Sequence, residues 1–265
     1  KQLFNGAYTR THSYFENSEL AASGLPSAEE LKILEPLRAQ LDPKVFGSVV
    51  EVPQSDASGI IREQQRRAYQ LLKEAGWKIV DDKMVDANGK PVSIEFLLAQ
   101  TDFERVLLPY KRNLADLGIE LVIRRVDVSQ YINRLRSRDF DMIVGGFGQS
   151  SSPGNEQREY WHSASADNPG SRNFIGLKDP AVDSLVEGLI NADSRHSLVA
   201  HTRALDRVLL AGYYVIPNWY IKTWRVAYWD RLQHPEVTPL YDVGLMTWWA
   251  KAGVPTAPAP VNTEQ

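Results

Sequence analysis

Apolar residues recur along this chain at two different spacings, and the alternation between them gives most of the expected architecture. Leu31, Leu34 and Leu37 repeat every three residues after Ser27 and Glu30. A serine followed three residues later by a glutamate is a capping-box signal, so a helix is expected to start at Ser27, with Pro36 kinking or shortening it. Over 59–75, Ile61, Ala68, Leu72 and Ala75 share one helical face, and Gly76 supplies a C-terminal cap. Two short strands at 77–80 and 84–85 follow, then the tight-turn pair Asn88-Gly89.

The middle of the chain is the most regular. An apolar strand is expected over 93–99. A helix over 102–117 carries Phe103, Val106, Tyr110, Leu114 and Leu117 at spacings of three and four, with Pro109 anomalous inside it. A strand at 119–126, a short helix at 129–138 and a buried strand at 141–145 complete a βαβαβ order, which implies a largely parallel sheet. Residues 146–178 read as a long polar loop, of a length usually reserved for function. Helices are expected at 179–190 and at 194–211, where Asp193 and Ser194 compete as caps. Strands are expected at 214–219 and 223–229. The fold class is therefore α/β: a largely parallel mixed sheet flanked by helices.

Composition narrows the function. The 265 residues carry 30 basic and 33 acidic side chains, a formal charge of −3, which argues against a nucleic-acid partner. No run approaches the ~20 apolar residues of a membrane span. There is no cysteine, so thiol catalysis and cysteine metal sites are excluded. Of the five histidines, His196 and His201 stand five apart and do not share a helical face, so no metal site is expected. No Gly-x-Ser-x-Gly elbow occurs. Asp81-Asp82 and Glu29-Glu30 sit at a turn and a helix start and need no catalytic role. The arginines at 62, 66 and 67 and at 134, 136 and 138 read as solvated helix faces. The glycine-rich stretch 145–152 lacks the Lys-Ser/Thr ending of a phosphate loop and is a broken dinucleotide fingerprint, so no cofactor is expected. It does leave the carboxyl end of an expected strand, where open α/β sheets hold ligands. Five of the seven tryptophans lie between Trp219 and Trp249, fitting either a domain seam or a ligand platform.

The segments YTRTHSYFENSELAASGLPSAEEL, RNLADLGIEL, SRDFDMIVGGFGQSSSPGNEQREYW, SRNFIGLKDPAVDSLVEGLI and WWAKAGVP resemble the C-terminal half of bacterial periplasmic oligopeptide-binding proteins. These are the family 5 extracellular solute-binding components of ABC importers, and the likeness is to the YejA-like branch. The resemblance covers nearly all of residues 1–250. It implies a periplasmic-binding-protein-like lobe that binds oligopeptides or modified peptides in an inter-lobe cleft and delivers them to an inner-membrane ABC permease. No catalysis is implied. The periplasm is the implied location, although the chain opens on Lys1 with no visible signal peptide. Implied divisions are an inter-lobe segment at 1–24, a ligand-binding second lobe at 25–219, a return segment at 220–250 and a disordered, proline-rich tail at 251–265. The missing N-terminal lobe of the same protein is then a partner, and the isolated chain is expected to bind peptides weakly.

Expected ligand contacts are Phe147, Gly148, Gln149, Ser150, Ser151, Asn155 and Glu156 on the loop. Tyr160 and Trp161 form a pocket wall, Arg172 and Asn173 sit at the loop's far end, and Trp219 stands at the cleft mouth. Many members carry an aspartate after the strand matching 141–146, where it meets the ligand's α-amino group. Here Gln149-Ser150-Ser151 stand there, with no carboxylate before Glu156. The alternatives are a periplasmic hydrolase of peptidoglycan or oligosaccharide, and a structural interaction domain.

Overall fold

The computed structural model describes residues 3–54, 58–239 and 242–253. The chain divides into two compact units, the first ending at Tyr220 and the second beginning at Ile221.

In the first unit, strand β1 (Thr9–Arg10) precedes helix α1 (Ala28–Leu34). Ser27 caps α1 by accepting the Glu30 amide at 3.2 Å. The reciprocal half of the capping box does not form, because Glu30 is buried and its carboxylate takes a hydrogen bond from Arg207 instead. Pro36 falls where α1 gives way to a 3-10 helix at Glu35–Gln40, and a second 3-10 helix follows at Pro43–Phe46. Helix α2 (Arg62–Glu74) buries no residue. It ends in a Schellman cap: the Trp77 amide bonds Leu72 O at 2.9 Å and the Gly76 amide bonds Lys73 O at 3.0 Å. Gly76 takes φ +88°, which glycine adopts without a Cβ clash.

Strands β2 (Lys78–Val80) and β3 (Lys83–Val85) form a hairpin turned by Asp81 and Asp82 at φ +49° and +61°. Strand β4 (Ser93–Leu98), helix α3 (Glu104–Ala115) and strand β5 (Glu120–Arg125) make a parallel unit in register from Ser93↔Glu120 to Leu98↔Arg125. Pro109 lies inside α3 without ending it. Phe96, Leu98, Leu107 and Leu121 form a small core between this sheet and α3. Helix α4 (Val128–Ser137), capped by Asp127, returns the chain to the far edge of β4. There the expected buried strand at 141–145 reduces to one parallel bridge, Phe96↔Met142. The segment beyond it is extended and largely exposed, because it has no further strand to pair with.

The region 146–178 is more than a loop. Helix α5 (Glu156–Trp161) and a 3-10 turn at Ser163–Ser165 lie within it, and Trp161 is wholly buried. Helices α6 (Pro180–Ile190) and α7 (Arg195–Ala211), capped by Asp179 and Ser194, pack with α1 and α5 around the main core. Leu185, Leu189, Leu205 and Leu209 fill it at 0–1% exposure, each burial stabilising by roughly 1.5–3 kcal/mol. Of the expected strand at 214–219, only β6 (Trp219–Tyr220) pairs, antiparallel to β1.

In the second unit, the expected strand at 223–229 is absent: its β-branched and aromatic residues find no ladder partner. Strands β7 (Leu232–Gln233) and β8 (Trp249–Ala250) pair instead, separated by a 3-10 turn at Leu245–Thr247. Most of the expected proline-rich tail lies outside the described residues.

Candidate functional site

The first unit carries an open depression of about 1110 Å³. Four stretches line it. The extended segment after Met142 forms one side, and residues 213–220, leaving the end of α7, face it. Phe103, just before α3, closes a third side with Val106 and Tyr110 of that helix, and the stretch 11–17, with Tyr14, closes the fourth. Tyr213, at φ +51°, turns the chain out of α7, and Thr11 ties the outgoing strand by donating to Asn218 O at 3.2 Å. Among the described residues, the backbone amides of Ile143, Val144, Gly145, Gly146 and Phe147 have no hydrogen-bond partner. A smaller hollow of about 260 Å³, sharing Trp219 with the first, is lined by Phe4, Tyr8 and Arg10. Trp219 stacks on Phe103 at 6.0 Å, and Phe103 stacks on Phe96 at 6.3 Å, so an aromatic row runs from the sheet to the rim.

Of the residues singled out in the sequence, Phe147, Gln149 and Trp219 line the depression. Phe147 packs on Trp161 at 4.4 Å and on Tyr160 at 5.6 Å. Tyr160 and Trp161 themselves are buried in the main core. Tyr160 Oη donates to Gly148 O at 3.2 Å and accepts from Arg172 at 2.9 Å, while Arg172 lies over its ring. These two residues brace the glycine segment from behind. Asn173 is fully buried; it bonds both backbone groups of Leu177, at 2.8 and 3.0 Å, and fixes the loop. Ser151 O accepts from Arg195, and Ser150 accepts the Ser152 amide. Asn155 accepts from Arg158, and Glu156 accepts from the Gly154 amide and from Gln157.

Tyr14, Tyr110 and Tyr214 also line the depression, and sequence reasoning missed all three. Their only signal is aromatic character, which core residues share. Burial raises the Tyr14 phenol well above the usual tyrosine range, helped by Asp206 and Tyr214, so it stays protonated. Burial also raises Tyr110 and Tyr214. Beneath Tyr14, burial pushes the Asp206 carboxyl up to about 6, against hydrogen bonds from the Ala22 amide, the Ser13 hydroxyl and the Tyr14 amide. Glu16 and Asp141 also line the depression. Each already accepts a backbone amide, from His12 at 2.6 Å and from Glu95 at 2.7 Å. Among the described residues, no three acidic or histidine side chains are grouped to hold a metal ion, and no helix is long and apolar enough to cross a membrane.

Residues 1–169 match the family described as bacterial extracellular solute-binding proteins, family 5 middle. The chain is 46% identical over 256 residues to a probable peptide-binding protein YejA of Agrobacterium fabrum, covering 96% of this chain and 42% of that protein. It is 37% identical to the peptidoglycan-binding protein YepA of the same organism, covering 94% and 41% respectively. The chain thus spans about two-fifths of the length of the curated relatives it matches. Its fold is similar to that of the oligopeptide-binding protein AppA of Bacillus subtilis, solved with a nonapeptide. The TM-score there is 0.56 at 18% identity, covering 92% of this chain and 52% of that one. The α/β unit with its small sheets has the fold of a periplasmic-binding-protein lobe, and the chain belongs to the family 5 bacterial extracellular solute-binding proteins, in their YejA-like branch.

Proposed function

We propose that this chain supplies one wall of the ligand cleft in the substrate-binding component of a bacterial ABC importer. Its cargo is an oligopeptide or modified peptide, handed to an inner-membrane permease from the periplasm. The observation that carries this reading is the run of unpartnered amides from Ile143 to Phe147 beside an aromatic-lined depression. A peptide offers a regular row of carbonyls, which alternate amides of such a run can meet as an added strand would, while the depression takes side chains of varied shape. The relatives named for peptide and peptidoglycan binding, and the nonapeptide held by AppA, point the same way.

Calorimetry on the complete protein tests this. Oligopeptide binding without turnover is expected, with Phe147→Ala and Trp219→Ala each weakening it about tenfold through lost aromatic contact. Peptide cleavage, or affinities unchanged in both variants, would overturn the reading.

A further inference from the structure

The main-chain hydrogen bonds of the segment 142–148 keep one parity. In an extended chain the N–H and C=O of a residue point to the same edge, and those of the next residue to the opposite edge. Met142 spends both groups on β4: its amide donates to Glu95 O at 3.0 Å and its carbonyl accepts the Leu97 amide at 2.9 Å. Two carbonyls further along are also taken, and both belong to even-numbered residues. Gly148 O accepts from Tyr160 Oη at 3.2 Å, and Arg172 reaches Gly146 O at 3.5 Å. Among the described residues, neither main-chain group of Ile143, Gly145 or Phe147 has a partner.

Glycine at 145, 146 and 148 leaves the segment little else to fix its rotation. A Cβ at any of the three would meet nothing within 4 Å, so tight packing does not explain them, and glycine has the freest backbone. The two side chains that hold the carbonyls are themselves anchored. Tyr160 is buried in the main core, and Arg172 both donates to its Oη at 2.9 Å and lies 4.8 Å from its ring centre. The loop that presents Arg172 is clamped by Arg138. That guanidinium donates to Asn173 O, Asn168 O and Ser171 Oγ at 3.0, 3.2 and 3.0 Å.

Resting on the peptide reading above, we infer that Tyr160 and Arg172 are positioning residues that set which amides of the glycine segment a bound peptide meets. By drawing the carbonyls of Gly146 and Gly148 to the rear, they turn the amides of Ile143, Gly145 and Phe147 outward. Neither side chain needs to touch the ligand. Without them the segment rotates about its own axis, and the alternate donors no longer stand in one row. The entropy of fixing that row is then charged to binding.

The test uses the complete protein and penta-alanine, with calorimetry, urea unfolding and hydrogen exchange resolved to single amides. In the wild type, the peptide is expected to slow exchange at Ile143, Gly145 and Phe147 and to leave Val144 and Gly146 fast. Tyr160→Phe, which keeps the buried ring, and Arg172→Ala, at an exposed position, are each expected to weaken binding about tenfold and to erase that alternation. Their urea midpoints should stay close to that of the wild type. Arg172→Lys, which keeps a donor for Tyr160 Oη, should restore most of the affinity. Wild-type affinity in both variants, or equal slowing of odd and even amides in the wild type, would overturn the assignment while the peptide reading stands. So would an affinity loss matched by a lowered urea midpoint in both variants, which marks a structural role alone. If the wild type does not bind penta-alanine, the peptide reading falls and this inference falls with it.

Discussion

Asp206 shows how one side chain can hold a segment and be sensitive to pH at once. Its two oxygens accept from Ser13 Oγ, the Tyr14 amide and the Ala22 amide at 2.7–2.9 Å, fixing the stretch that carries Tyr14 into the wall of the depression. Its carboxyl titrates near 6 when folded, against an ordinary value of 3.8. The folded chain therefore binds this proton more tightly than the unfolded chain does. The group's contribution to stability is complete below about pH 4, falls as pH rises towards 6, and is constant above that. Two pKa units correspond to about 3 kcal/mol. The penalty of Asp206→Asn, read from urea midpoints, should thus be larger at pH 4 than at pH 7.5 by up to about that amount. A penalty independent of pH would show that folding leaves the Asp206 carboxyl unshifted.

At the scale of elements, the junction between α3, β5 and the β2–β3 hairpin turns on Gly118. It sits at φ +74°, its carbonyl accepts the Met84 amide at 2.8 Å, and an added Cβ would lie 2.6 Å from that same nitrogen. Gly118→Ala should cost about 2–4 kcal/mol in urea unfolding, combining left-handed strain with a backbone clash. Gly76→Ala, at φ +88° with open space around it, should cost only about 1 kcal/mol. Equal losses at the two sites would remove the clash from the account. The elements legible in the sequence are those set by near neighbours, such as the Gly76 cap, the Ser194 cap and the β4–α3–β5 unit. The misread ones depend on distant partners. Glu30 looks like half of a capping box, yet Arg207, far along the chain, claims it in a buried ion pair. Segments 141–145 and 223–229 have strand-like residues, but strand formation needs an edge to pair with, and composition does not supply one.

For the whole molecule, the candidate site was legible as a place more than as a set of side chains. Phe147, Gln149 and Trp219 line the depression, whereas Tyr160 and Trp161 turn inward because α5 winds them into the main core. No local pattern shows which face of so short a helix looks out. The second unit exposes Trp224 and Trp229 by more than 70% and Met246 almost fully. Large exposed apolar side chains of that kind favour association. The isolated chain should therefore form dimers or larger species at millimolar concentration by light scattering, and Trp224→Ser with Trp229→Ser should restore the monomer. A clean monomer of the unaltered chain at that concentration would count against this.

The pairing of β1 with β6 bears on the connectivity of the first unit. Thr9 sits opposite Tyr220 and Arg10 opposite Trp219, so the polypeptide enters and leaves this unit on adjacent antiparallel strands. Positions more than two hundred residues apart in sequence are thus within reach of a linker of a few residues. The order of the intervening elements is then a matter of covalent convenience. Joining the two strands and opening the chain at the exposed Asn88-Gly89 turn gives a circular permutant that keeps every core contact described above.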